Sequence, residues 1–103
     1  MKILKVGTRL KSAVCDAEVM VVRAGDAEVL IKCGGAEMIG IDAQRAPDAA
    51  PVMPFVEGTF VGKRYVDPTG QLELLCTKSG KGSLSLGVQP LVVKQAKSLP
   101  SSD

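Results

Sequence analysis

A repeated stretch constrains this chain more than any other feature. Glu18-Val-Met-Val-Val-Arg-Ala-Gly25 returns fifty-five residues later as Glu73-Leu-Leu-Cys-Thr-Lys-Ser-Gly80. The match continues on both sides without a gap. Val6-Gly7-Thr8-Arg9 lies over Val61-Gly62-Lys63-Arg64, and Val29-Leu30-Ile31 over Leu84-Ser85-Leu86. Each copy is an apolar run, a short Gly-containing turn and a second apolar run, the pattern of a β-hairpin. The expected fold is therefore all-β, a duplicated small hairpin unit. The first repeat spans residues 1–41, an Ala/Pro-rich connector 42–54, the second repeat 55–95 and a polar tail 96–103.

Local signals place the elements. Residues 3–14 read as an extended lead-in that Gly7 bends. Residues 17–23 are the first strong strand. Val19 to Val22 is apolar on both faces, which suits a central strand. Ala24-Gly25-Asp26 turns the chain into a partner strand over 28–33. Gly34-Gly35 then permits a sharp bend that a Cβ would resist, and 37–41 form a short third strand. Pro47, Pro51 and Pro54 lack amide protons, so the connector is expected to be irregular, with one helical turn at Asp42 to Ala46.

The second repeat opens with a strand over 59–66. In Asp67-Pro68-Thr69-Gly70, Pro presets φ at the second turn position and Gly releases strain at the end. Residues 71–77 and 83–86 form the second hairpin. Gly87 to Pro90 turns into Leu91-Val92-Val93, and the tail should fray. The three aromatics, Phe55, Phe60 and Tyr65, fall within eleven residues and are expected to plug the interface between the halves.

Composition excludes several function classes. There is no His, which removes Ser-His-Asp and Cys-His catalysis, His-ligated metals and imidazole acid–base work. Net charge is +2, with Lys and Arg dispersed and few aromatics, so no nucleic-acid surface is expected. No apolar run approaches the ~20 residues of a spanning helix. Met1-Lys-Ile-Leu-Lys-Val-Gly7 is too short and charged for a signal peptide, and the three cysteines are odd in number. Both point to the cytoplasm and away from a disulfide framework. Open strand edges on so small a sheet favour a homodimer or a larger protein partner.

The candidate site residues are Cys15 and Cys33. Cys15 precedes the first strong strand and Cys33 ends its partner, so a hairpin turning near Gly25 brings them to one open end. Cys76 lies on the face of Leu72 and Leu74 and reads as a small core residue. Glu18 and Glu73 recur between copies, with surface ion pairs to Arg9 and Arg64 as the plain expectation. Ser79-Gly-Lys-Gly82-Ser83 lacks the order of a phosphate loop and reads as a flexible hairpin turn.

The segment Leu10-Lys11-Ser12-Ala13-Val14-Cys15, with Glu18 to Ile31 and Lys32-Cys33-Gly34-Gly35-Ala36-Glu37-Met38, resembles desulforedoxin and the amino-terminal domain of desulfoferrodoxin. The resemblance implies a Cys-x-x-Cys knuckle, a hairpin and a Cys-Cys-Gly-x-x-Met segment, with four thiolates on one iron in a dimer. Its second knuckle cysteine falls on Cys15, the second of its doublet on Cys33, the glycine on Gly34 and, after one extra residue, the methionine on Met38. Ser12 and Lys32 stand where the other two cysteines fall, so two of the four ligands are missing.

The leading functional reading is a non-catalytic interaction or accessory β-domain that self-associates, with no catalytic residues. The alternatives use Cys15 and Cys33: a thiolate site for iron or zinc, shared across a dimer, or a redox pair in which Lys32 lowers the pKa of Cys33.

Overall fold

The computed structural model of the chain describes residues 4–25, 28–44 and 49–94, and among these the regular elements are all strands. They are β1 Arg9–Lys11, β2 Glu18–Arg23, β3 Ile31–Cys33, β4 Ala36–Glu37 and β5 Ile39–Gly40, followed by β6 Arg64–Val66, β7 Glu73–Lys78, β8 Leu84–Leu86, β9 Gln89–Pro90 and β10 Val92–Val93. They form a six-stranded sheet ordered β10-β6-β7-β2-β1-β5 and a four-stranded sheet ordered β4-β3-β8-β9, with every pairing antiparallel. The all-β class is as the sequence predicts.

The pairing is not. The expected hairpins, 17–23 with 28–33 and 71–77 with 83–86, do not form; β2 and β3 lie in different sheets, as do β7 and β8. A strand has two edges, and both edges of β2 are taken, by β1 and by β7. The β2–β7 ladder sets Val19 opposite Cys76 and Val21 opposite Leu74, all fully buried. Met20 and Val22 are only half-buried, so β2 alternates instead of burying both faces.

The strand order of each sheet reads the same from either end when residues 9–40 are exchanged for 64–93. Met20 pairs with Leu75, the residue fifty-five positions on. Backbone bonds recur at that spacing: Gly7 N to Val21 O (2.8 Å) and Gly62 N to Cys76 O (2.9 Å), Val21 N to Thr8 O (2.8 Å) and Cys76 N to Lys63 O (2.9 Å). Beyond β2 the spacing becomes fifty-three. Cys33 pairs with Ala36 around Gly34-Gly35, as Leu86 pairs with Gln89 around Gly87-Val88. The ungapped match of Val29-Leu30-Ile31 to Leu84-Ser85-Leu86 thus slips by two, and Leu86, not Val88, occupies the place of Cys33.

Local turn chemistry follows the sequence. Gly34 and Gly35 both take positive φ, +67° and +88°, as a two-residue hairpin loop of primed type requires. Asp67 O accepts from Gly70 N at 3.0 Å, closing the Asp67–Gly70 turn, and Asp67 Oδ1 accepts from Leu72 N at 2.9 Å. The expected third strand is broken at the buried Met38, whose N–H reaches Ile31 O as the chain steps from β4 to β5 and changes sheet. Of 59–66 only β6 is a strand, with Thr59 bridged singly to Gly80.

The core between the sheets is aliphatic: Leu10, Val19, Val21, Ile31, Leu74 and Leu84. The aromatic plug is corrected to one ring. Tyr65 is 5% exposed, Phe55 is half-buried, and Phe60 is 56% exposed because it opens the turn closed by Lys63 N to Phe60 O. Arg64 pairs with Glu73 at 3.1 Å, but Glu73 is buried and not on the surface as expected, and Lys94 reaches the same carboxylate at 3.1 Å. Glu18 stands instead in register with Lys11 and Lys78. In the connector, 42–44 and 49–54 carry no strand or helix. The helical turn expected at Asp42 to Ala46 runs into residues 45–48, outside the described residues, as do Asp26 of the first turn, Pro47 and the tail from residue 95.

Candidate functional site

Two segments build the site. The loop from Ser12 to Ala17 joins β1 to β2, and Ser12 N–H donates to Ala17 O at 2.8 Å to close it. The buried Ser12 Oγ accepts from Val14 N (3.0 Å) and Cys15 N (3.1 Å). This small knot of bonds fixes where the Cys15 side chain points, as side-chain caps on turn amides do. The second segment is the end of β3, where Cys33 is 0% exposed. The two sulfurs lie 3.8 Å apart.

The sequence therefore brings together the right pair for a different reason. Cys15 and Cys33 do not meet at the mouth of a β2–β3 hairpin. They meet because the β1–β2 loop of one sheet overlies the end of β3 in the other. None of the three cysteines forms a disulfide. Cys76 lies apart on β7, opposite Val19, and its thiol donates to Lys78 O at 3.1 Å.

A third segment covers the sulfurs. Gly82 N–H donates to Cys15 Sγ at 3.4 Å, and Thr59 Oγ1 donates to Gly82 O at 2.6 Å. Thr59 and Gly80 also exchange both backbone bonds, at 2.9 and 3.0 Å. The approach is too close for any larger residue. A Cβ on Gly80 would sit 2.7 Å from Cys15 Sγ, and one on Gly82 would sit 2.8 Å from the Gly34 backbone and 3.2 Å from Cys33 Sγ. The loop Ser79–Ser83 is thus a fitted cap over the thiols. Sequence reasoning missed Thr59, Gly80 and Gly82. The alternating glycines were the available signal, since such spacing suits close backbone approach.

The two thiols differ in acidity. Burial pushes Cys33 up to about 12, and the neighbouring Cys15 adds to the rise. Burial also opposes ionisation of Cys15, but the Ser12 hydroxyl, the Ala17 and Gly82 amides and the Cys33 thiol outweigh it, so Cys15 lies below the ordinary thiol value. When the pair loses one proton it therefore comes from Cys15, and the Cys33 S–H can donate to the thiolate left behind. Lys32 does not lower Cys33 as the redox reading expects. It precedes Cys33 on β3, where neighbouring side chains face opposite ways, and it stands in register with Glu37 and Ser85.

Cys15 also lines a cleft of about 190 Å³ with Lys11, Asp16, Glu18 and Lys78. The residues present do not fit the iron or zinc centre that the resemblance implies. Two thiolates on a tetrahedral ion with bonds of about 2.3 Å would lie about 3.8 Å apart, which Cys15 and Cys33 satisfy. The position of the first knuckle cysteine, however, holds Ser12, whose oxygen already accepts two amides. Among the described residues no group of three or more His, Cys, Asp or Glu is placed to hold a metal. Sharing the pair across a dimer axis would require exposing Cys33, which lies beneath Gly82 and Gly34. Among the described residues no helix is long and apolar enough to cross a membrane. The chain matches no family model, no curated protein and no solved structure.

Proposed function

We propose that this chain is a small thiol–disulfide redox protein, with Cys15 as the reactive thiolate and Cys33 as the thiol that closes onto it. The observation that carries this reading is the buried sulfur pair at 3.8 Å. The unequal acidities support it, because exchange needs one thiolate to attack and one partner to resolve. Closing the bond brings the sulfurs from 3.8 Å to about 2.05 Å, a small movement for two side chains. Oxidising the intact protein with diamide, then mapping its peptides by mass spectrometry, should show a Cys15–Cys33 link and the loss of two hydrogens. Separate adducts on the two cysteines would refute the reading.

A second reading, an accessory domain that self-associates or docks on a larger protein, is supported by the apolar residues on β10 and the β8–β9 turn. Val88 is 83% exposed and Val92 is also exposed, and β9 and β10 are edge strands of their sheets. A solution mass of one chain, unchanged by Val88→Lys, would remove self-association. The recurrence of backbone bonds at a fixed spacing supports a duplicated unit as the origin of both halves.

A further inference from the structure

The cleft at Cys15 carries more information than the sulfur pair alone. Lys11 of β1, Glu18 of β2 and Lys78 of β7 stand in register across three neighbouring strands, and Asp16 follows Cys15. The thiol that lines this cleft is therefore ringed by two cations and two carboxylates. A volume of about 190 Å³ is below the roughly 300–1,000 Å³ of pockets for larger ligands, and suits a fragment the size of one amino acid. An apolar disulfide would strip water from four charges without replacing it.

We infer that the oxidant of the Cys15–Cys33 pair is a low-molecular-weight zwitterionic disulfide of the amino-acid type, its carboxylate set toward Lys11 and Lys78 and its ammonium toward Asp16 and Glu18. This rests on the redox reading above and adds the substrate class. The Cys15 thiolate attacks one sulfur of R–S–S–R. A bond forms between Cys15 Sγ and that sulfur, the R–S–S–R bond breaks, and R–S⁻ leaves with the electron pair. Cys33 then gives its proton to the departing thiolate side and its sulfur attacks Cys15 Sγ. The second R–S⁻ leaves and takes up a proton from water. In total two R–SH form and the two cysteines lose two electrons.

The test compares cystine with the neutral hydroxyethyl disulfide at pH 7 on the full chain, quenching with acid and counting the Cys15–Cys33 link by mass spectrometry. Lys11→Gln and Lys78→Gln should each slow oxidation by cystine about fivefold, the factor one exposed ion pair supplies. Any slowing with hydroxyethyl disulfide, which reads only the acidity of Cys15, should be smaller than the slowing with cystine by that factor. Equal slowing with both oxidants would mean that the lysines act only on Cys15 acidity, and slowing with neither would mean that they do not face the substrate; either result overturns the assignment. Diamide on the same variants separates the two levels. If diamide closes the link but the lysines do not discriminate, only the substrate class fails. If diamide does not close it, the redox reading fails and takes the substrate class with it.

Discussion

Cys15 and Cys33 show how little the identity of a residue says about its chemistry. Both are cysteines, both are buried, and their sulfurs touch at hydrogen-bond range. What separates them is the supply of donors. Cys15 receives the Gly82 amide and is braced by the loop that Ser12 ties; Cys33 meets the anionic partner it helps to create. Alkylation of the native protein should therefore label Cys15 first, with a midpoint below pH 9, while Cys33 stays unlabelled until the chain unfolds or the pH nears 12. Peptide mapping after timed exposure to iodoacetamide reads this directly, and preferential labelling of Cys33 would contradict it. Ser12→Ala removes the acceptor of two amides in a buried loop. It should cost about 1–3 kcal/mol in chemical denaturation and move the Cys15 labelling midpoint upward, because a donor to its thiolate is lost.

At the scale of elements, the cap loop and the turns are where substitutions separate function from stability. Gly82→Ala would drive a Cβ into the Gly34 backbone, so it should destabilise the chain by about 1–3 kcal/mol and change the rate at which the 15–33 link forms. Gly7 has open space around it but a φ of +94°, so Gly7→Ala should cost about 1–3 kcal/mol through backbone strain and leave the oxidation rate alone. Parallel denaturation and oxidation assays on the two variants distinguish the cases. Asp67 gives a pH signature. Burial opposes its ionisation, but bonds from Thr69, Leu72 and the local backbone hold its carboxyl below the ordinary value. A depressed carboxyl contributes stability that is complete above its unfolded pKa and is lost as pH falls through the folded one. The stability gap between the wild type and Asp67→Asn should thus be widest near neutral pH and close below about pH 4; a gap that widens in acid would refute this.

These same elements mark what a sequence discloses. Gly34-Gly35 and Asp67-Pro68-Thr69-Gly70 were legible because their conformations need those residue types whatever surrounds them. The proximity of Cys15 and Cys33 was legible too, but through a hairpin that does not exist. The apolar run Val19 to Val22 marks β2 as a strand but is silent on which of its faces goes inward and on which strand takes each edge. The sheet changes at Met38 and Leu91 left no composition signal, since a single buried residue between two short strands looks like strand continuation. Phe60 misled because its apolar ring argued for burial while the turn it opens lies at the surface.

For the whole molecule, the decisive contacts are those between the halves. β2 pairs with β7 and β3 with β8, so each sheet has its centre at a junction of residues 9–40 with 64–93. Leu74, Cys76 and Leu84 complete the core that Val19, Val21 and Ile31 begin. A chain of about fifty residues is marginal on its own, and each half alone would leave unpaired the edge that β2 and β7 share. Fragments 1–48 and 49–103, made separately, should each lack fixed structure, and mixing them should restore the strand signal in circular dichroism. The amides to follow by hydrogen exchange are Met20 and Leu75, which face each other at the centre of the six-stranded sheet. They should be unprotected in either fragment and slow in the mixture. Protection of Met20 in fragment 1–48 alone would mean that β2 has found another edge. The strongest candidate is a second β2, because Met20 already pairs with the residue that holds its own place in the other half.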